Sequence, residues 1–175
     1  MKRSRILILG AILLAAFSCA KQQQENYYAS QEDQIEKFVN AAKGVRTVHN
    51  GGATRVIITE GTTADSLSAS GVVSFYYAGY LLSGTSVSSS NLFDTNNEDL
   101  NWPVSDSASF NICTIKIDEE PLLPGLKSGL TGVKGGEESY ILFTGKYGYG
   151  NHSSGTIPAN ASLVYHIWVE SISNE

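Results

Sequence analysis

The chain has 175 residues, and its Lys+Arg count of 12 against Asp+Glu 17 leaves a net charge of −5. An acidic chain without a basic stripe makes nucleic acid an unsuitable partner and directs attention to peptides and proteins. Two cysteines supply no disulfide framework, and at this length one domain buries enough surface to fold without a structural metal.

Lys2, Arg3 and Arg5 precede an apolar run from Ile6 to Phe17 that ends at Ser18-Cys19-Ala20. A basic flank and roughly a dozen apolar residues fit a secretory signal and fall short of the about 20 that span a bilayer. A small residue directly before Cys19 resembles the bacterial lipoprotein cleavage site, where the cysteine is lipid-modified and becomes the new N-terminus; Ala16 stands where that pattern usually has Leu. Ordinary signal cleavage with Cys19 incidental is the competing reading. The expectation is a lipoprotein signal peptide over residues 1–18, lipid attachment at Cys19, and a location in the bacterial cell envelope. Ala20 after the cysteine, in place of Asp, is consistent with outer-membrane sorting. Loss of Lys2, Arg3 and Arg5 lowers the net charge by three, to −8.

Residues 19–53 are expected to be a lipidated tether followed by an amphipathic helix. Lys21 to Asn26 is polar with nothing to bury. Ser30 to Asp33 reads as a capping-box start, and Ile35, Phe38, Val39 and Ala42 follow at helical spacing. That apolar face either docks on the following domain or pairs two copies. Gly51-Gly52 ends the region, and residues 54–175 form the main domain.

Within it, Thr54 to Thr59 is a strand candidate with Val56 and Ile58 on one side and Arg55 and Ile57 on the other. Gly61 to Gly71 reads as a loop. Val73, Phe75 and Tyr77 share one face of the next strand, Ser83-Gly84 turns, and Ser86–Ser90 with Asn96–Asn101 make a long polar crossing. Phe110 to Ile117 alternates, placing Cys113 beside Ile115 and Ile117 as a packed small hydrophobe. Leu122, Leu126, Leu130 and Val133 line one stripe of a short helix within 121–133, with Pro124 near its start and Gly125 and Gly129 weakening it by about 1 kcal/mol each. Glu138 to Thr144 is a strand, and Leu163, Tyr165, Ile167 and Val169 line one face of the last. His49, His152 and His166 are scattered, and His166 is expected at the surface.

Three ordered blocks carry a family resemblance. Tyr147-Gly148-Tyr149-Gly150, then Ile157-Pro158-Ala159-Asn160-Ala161 and the apolar last strand form one. Val73 to Leu81 with Gly84-Thr85 form another, and Leu122-Leu123-Pro124-Gly125-Leu126 through Gly135-Gly136-Glu137 the third. Together they resemble the FK506-binding-protein family of peptidyl-prolyl cis-trans isomerases. The resemblance implies an α+β fold, an antiparallel half-barrel sheet wrapped around one short central helix, here preceded by an N-terminal helix. It implies no cofactor and no metal. Proline-containing polypeptides are the implied substrates, and FK506-like macrolides possible ligands.

Residue by residue, Tyr77 matches the pocket tyrosine of the early strand, and Phe93 and Asp94 the Phe-Asp element. Leu122 and Leu123 match the aliphatic pair before the helix, where the Leu123 N–H would donate to a substrate carbonyl. Tyr149 matches the ligand-bonding tyrosine, Ile157 the loop hydrophobe and Tyr165 a phenylalanine of the last strand. Leu126 stands where well-known members place a tryptophan floor. The Leu126 and Tyr165 departures imply a shallower pocket with an added hydroxyl, and activity reduced or retargeted.

The residues themselves offer no rival chemistry: there is no Gly-x-Ser-x-Gly elbow, Walker loop or His-Glu-x-x-His. Prolyl isomerisation needs none of these. Its barrier near 20 kcal/mol is amide resonance, and moving a planar amide from water into an apolar aromatic cup raises the ground state relative to the less polar twisted form. Two functional readings follow. One is an envelope isomerase acting on secreted or outer-membrane proteins; the other is a catalytically silent module of the same type that binds a partner or holds unfolded chains.

Overall fold

The computed structural model describes the backbone of residues 2–100 and 111–174 and the side chains of residues 21–100 and 111–174. Helix α1 (Lys2–Ala41) leads into a hairpin of β1 (Arg46–Asn50) and β2 (Ala53–Thr59), then β3 (Val72–Leu81), β4 (Leu92–Thr95), β5 (Cys113–Lys116), α2 (Pro124–Leu130), β6 (Glu138–Phe143) and β7 (Leu163–Ser173). The strands pair antiparallel in the order β1-β2-β6-β7-β3-β4, and β5 pairs with β3 as well. β4 and β5 occupy successive stretches of the same edge: β4 runs beside Ala78–Tyr80 and β5 beside Val72–Phe75.

Side chains alternate between two cores because strand residues alternate between faces. On one face Val73, Phe75, Ile141, Phe143, Leu163, Tyr165, Ile167 and Val169 meet Leu126 and Leu130 of α2, with Val133 just beyond. On the other, Val56, Ala78, Tyr80, Leu142 and Val164 meet Ile35 and Phe38 of α1. The antiparallel sheet curving over a short helix, with a helix before it, is as expected from the sequence. Burial of each large apolar side chain contributes roughly 1.5–3 kcal/mol, which is what holds a helix as short and glycine-rich as α2. Its two glycines serve that packing: a methyl at Gly125 would overlap the Phe143 ring, and one at Gly129 would overlap Ile141.

Several local expectations are corrected. Lys21–Asn26 is helical, and Ser30 starts nothing: α1 runs through both, and the Ser30 hydroxyl donates back to the Tyr27 carbonyl at 2.7 Å, as a mid-helix serine does. The sheet begins one strand earlier than expected, at β1, because Gly51 and Gly52 form a two-residue turn rather than a boundary. In β2, Arg55 and Ile57 are buried along with Val56, whereas Ile58 is 42% exposed. The helix within 121–133 is confined to α2. Cys113 packs against the α2-side core, as expected, and Ile112 is exposed.

The buried Arg55 has a structural task. Its guanidinium donates to the carbonyls of Gly129 (2.8 Å), Thr131 (3.2 Å) and Gly132 (3.0 Å), capping the C-terminal end of α2. Its Nε lies 3.2 Å from the equally buried Glu137 Oε1 without the alignment of a hydrogen bond. Burial pulls the arginine pKa down and pushes that of Glu137 up, and each partner opposes the shift of the other.

His166 is half-buried rather than exposed. Its ring packs between Tyr140 (4.3 Å between centroids) and Trp168 (3.7 Å), and Nε2 lies 2.9 Å from Glu138 Oε1. Burial lowers its pKa, against the pull of that carboxylate.

Candidate active site

The loop after β6 begins with a 3-10 turn at Gly145–Tyr147, and the chain returns to the sheet only at β7. Tyr149 and Ile157 sit on this excursion and lean onto the α2-side core, Ile157 buried and Tyr149 half-buried. From the sheet, β3 presents Tyr77, β4 presents Phe93 and β7 presents Tyr165. Leu122 and Leu123 precede α2, and Leu126 lies on it. All eight of these side chains belong to, or pack against, one apolar cluster. Asp94, exposed beside it, accepts a 2.9 Å hydrogen bond from the Tyr77 hydroxyl. Thus the structure brings together the expected pocket residues from five separate stretches of chain. Cys19, the expected lipid attachment point, lies outside the residues whose side chains are described.

The rings are arranged around Tyr165. Phe143 stacks on it with centroids 5.9 Å apart and planes 15° apart, Phe93 meets it edge-on at 5.8 Å, and Tyr77 tilts toward it at 6.2 Å. Such offset and edge-to-face pairs are each worth about 0.5–1.5 kcal/mol beyond burial. Phe93 reaches this position because Gly79, opposite Asp94 in the β3–β4 ladder, has no side chain: a methyl there would come within 2.5 Å of the Phe93 ring.

The polar atoms at the site are few. The phenol pKa values of Tyr77 and Tyr165 are raised above the usual 10, both mainly by burial; Asp94 and Tyr149 are among the neighbours adding to each shift. Both hydroxyls therefore remain protonated donors at neutral pH. Among the described residues, the enclosed polar atoms left without a partner belong to Arg55, Glu137, Ser139 and Thr144, and the Tyr165 hydroxyl is not one of them. Among the described residues, none accepts the Leu123 N–H or pairs with the Tyr149 hydroxyl. No group of three His, Cys, Asp or Glu among them could hold a metal ion.

Sequence reasoning missed three residues that shape the cluster. Phe143 is one, although its alternation with Leu142 places it on the α2 side. Gly79 and Asn96 are the others. Asn96 is buried rather than part of a polar crossing: its side chain accepts from the Tyr77 N–H (2.6 Å) and donates to the carbonyls of Phe75 (3.3 Å) and Asn111 (3.0 Å). It thereby bridges the gap between β4 and β5 behind Tyr77.

The model of the FKBP-type peptidyl-prolyl cis-trans isomerase family matches residues 64–170. FK506-binding protein 1 of Aspergillus oryzae is 26% identical over 119 residues, covering 66% of this chain and 94% of that protein. Among solved structures, FkpA from Escherichia coli superposes with a TM-score of 0.59 at 21% identity, covering 94% of this chain and 70% of that one. The structure of the three FKBP domains of wheat FKBP73 gives 0.59 at 19%, covering 74% and 51% respectively, so this chain spans about half of it. At these identities the two structures speak for the fold.

Proposed function

The chain belongs to the FKBP-type peptidyl-prolyl cis-trans isomerase family, and from that premise we propose that it turns over X-Pro bonds of envelope or secreted proteins in the cup around Tyr165. The carrying observation is the convergence of Tyr77, Phe93, Leu122, Leu123, Leu126, Tyr149, Ile157 and Tyr165 on one apolar cluster.

In this reading the prolyl ring enters between Tyr77, Phe93 and Tyr165, over Leu126. Water leaves the amide, which costs the planar, more polar form more than the twisted form and so lowers the barrier. The Leu123 N–H donates to a substrate carbonyl and the Tyr149 hydroxyl holds a second one, fixing the peptide on one side of the prolyl C–N bond while the other side rotates about it. Asp94 holds Tyr77 in place through their hydrogen bond. Since both buried phenols titrate above 10, neither gives the rate a pH dependence near neutrality. FK506-like macrolides are expected to compete for the same cup.

The location belongs to the proposal as well. Lipid attachment at Cys19, after removal of residues 1–18, places the domain in the cell envelope on the outer membrane; the basic flank, the short apolar run and the small residue before the cysteine support it.

The test is turnover of a short X-Pro peptide by the full chain. Activity suppressed by FK506 and lost in Tyr149→Ala and Asp94→Ala is the expected result. Wild-type protein that is folded yet no faster than buffer would overturn the reading.

A further inference from the structure

We propose that Gln31 of α1, reinforced by Tyr28, is a positioning residue for the isomerase site, fastening both ends of the loop that carries Tyr149 and Ile157. The inference rests on the site assignment above and extends it to a helix outside the residues matched by the family model.

Gln31 is 5% exposed and uses both ends of its amide. Its Oε1 accepts the Gly145 N–H at 2.9 Å, and its Nε2 donates to the Asn160 carbonyl at 2.6 Å. One helical turn earlier, the Tyr28 hydroxyl donates to Asn160 Oδ1 at 2.7 Å. Gly145 and Asn160 are fifteen residues apart in sequence, yet a methyl on Gly145 would overlap the Asn160 backbone. The two loop ends thus touch, and a single side-chain amide closes the seam.

The fastening reaches Tyr149 through the backbone. The Gly145 carbonyl accepts from the N–H groups of Gly148 (3.1 Å) and Gly150 (2.8 Å), and the Gly150 carbonyl in turn accepts from Asn160 N–H. Asn160 sits in the left-handed region at φ 59°, which asparagine tolerates better than most non-glycine residues. Docking of α1 is a separate matter, served by Ile35 and Phe38 against the opposite face of the sheet.

The experiment uses the full chain with Gln31→Met, which keeps length and volume but removes both hydrogen bonds, Gln31→Glu, which keeps the acceptor alone, and Tyr28→Phe. Turnover of an X-Pro peptide is measured well below the unfolding midpoint, together with amide hydrogen exchange. The expected result for Gln31→Met is a loss of about tenfold in kcat/KM, as a small displacement of substrate-holding groups produces. Exchange should accelerate at Gly145 and Gly150 while Ile141 and Ile167 stay protected. Gln31→Glu and Tyr28→Phe should fall between it and wild type, and they carry the test if Gln31→Met does not fold. Unchanged kcat/KM in a folded variant whose Gly145 amide has been deprotected overturns the proposal, as does a Gly145 amide that stays protected. Wild-type protein without turnover refutes the isomerase assignment instead, and the fastening then stands or falls on exchange at Gly145 alone.

Discussion

Gly79→Ala separates the shape of the site from the stability of the fold. The added methyl would stand 2.5 Å from the tip of the Phe93 ring and 2.6 Å from its neighbouring carbon. Ordinary carbon contacts lie near 3.5–4.0 Å, so the ring must swing away by about 1 Å. Two effects on stability then oppose each other. Alanine in a strand interior gains about 0.5–1 kcal/mol over glycine. Loosening the edge-on contact of Phe93 with Tyr165, now at 5.8 Å between centroids, costs about 0.5–1.5 kcal/mol. The sum lies close to zero, and the urea midpoint should barely move. Turnover should not be spared, because a wall of the cup has shifted by about an ångström; a fall of at least tenfold in kcat/KM, about 1.4 kcal/mol of transition-state stabilisation, is expected. Phe93→Ala serves as the reference and should lose activity to a similar extent. Gly79→Ala with full turnover and an unaltered midpoint would refute the placement of Phe93 in the substrate cup. A loss of several kcal/mol would show that the backbone, not the ring, gave way.

Arg55→Met should cost at least about 3–5 kcal/mol in urea unfolding, the scale for stranding one member of a buried ion pair, because the α2 carbonyls lose their donors along with Glu137; a cost under about 1 kcal/mol would contradict the capping role. His166 gives an acid-side dependence. Its folded pKa is depressed by burial, so above the unfolded value near 6.5 both states are neutral and no stability is lost through this group. As pH falls below that value the unfolded state takes up the proton first, and stability declines until the folded pKa is passed. His166→Gln should flatten this part of the urea-midpoint profile. Cys19→Ala is expected to release the protein from the membrane fraction into the soluble one; unchanged fractionation would count against lipid attachment.

What could be read from the sequence was what repeats locally. The alternation of Leu163, Tyr165, Ile167 and Val169 placed β7 correctly, and the Leu126–Leu130–Val133 stripe placed α2 against the sheet, since both patterns are imposed by burial of one face. Tyr77, Leu122, Leu123, Leu126, Tyr149, Ile157 and Tyr165 fall in the three motif blocks and Phe93 in a separate Phe-Asp element, and the fold gathers them on one cluster. The failures have a common physical origin. The burial of Arg55 was not legible because its partners, the end of α2 and Glu137, lie about eighty residues further on. Asn96 and Gln31 looked like ordinary polar residues, and only tertiary structure shows backbone groups waiting for each amide. The Ser30–Asp33 capping pattern was generic, whereas the glycine pair at 51–52, treated as a boundary, was a hairpin signal flanked by residues too polar to announce a strand.

The way Asn96 mends the edge of β3 has a practical consequence for protein engineering. One amide ties Tyr77 and Phe75 to Asn111, so Asn96, just after β4, and Asn111, just before β5, meet at one point on the edge of β3. A segment with stapled ends can be lengthened cheaply, each doubling of its length adding only about 0.6 kcal/mol of closure entropy. Foreign peptides or reporter sequences spliced directly after Asn97 should therefore leave the register of β3, β4 and β5 intact, making this position a natural port for grafting new binding specificity beside the cup.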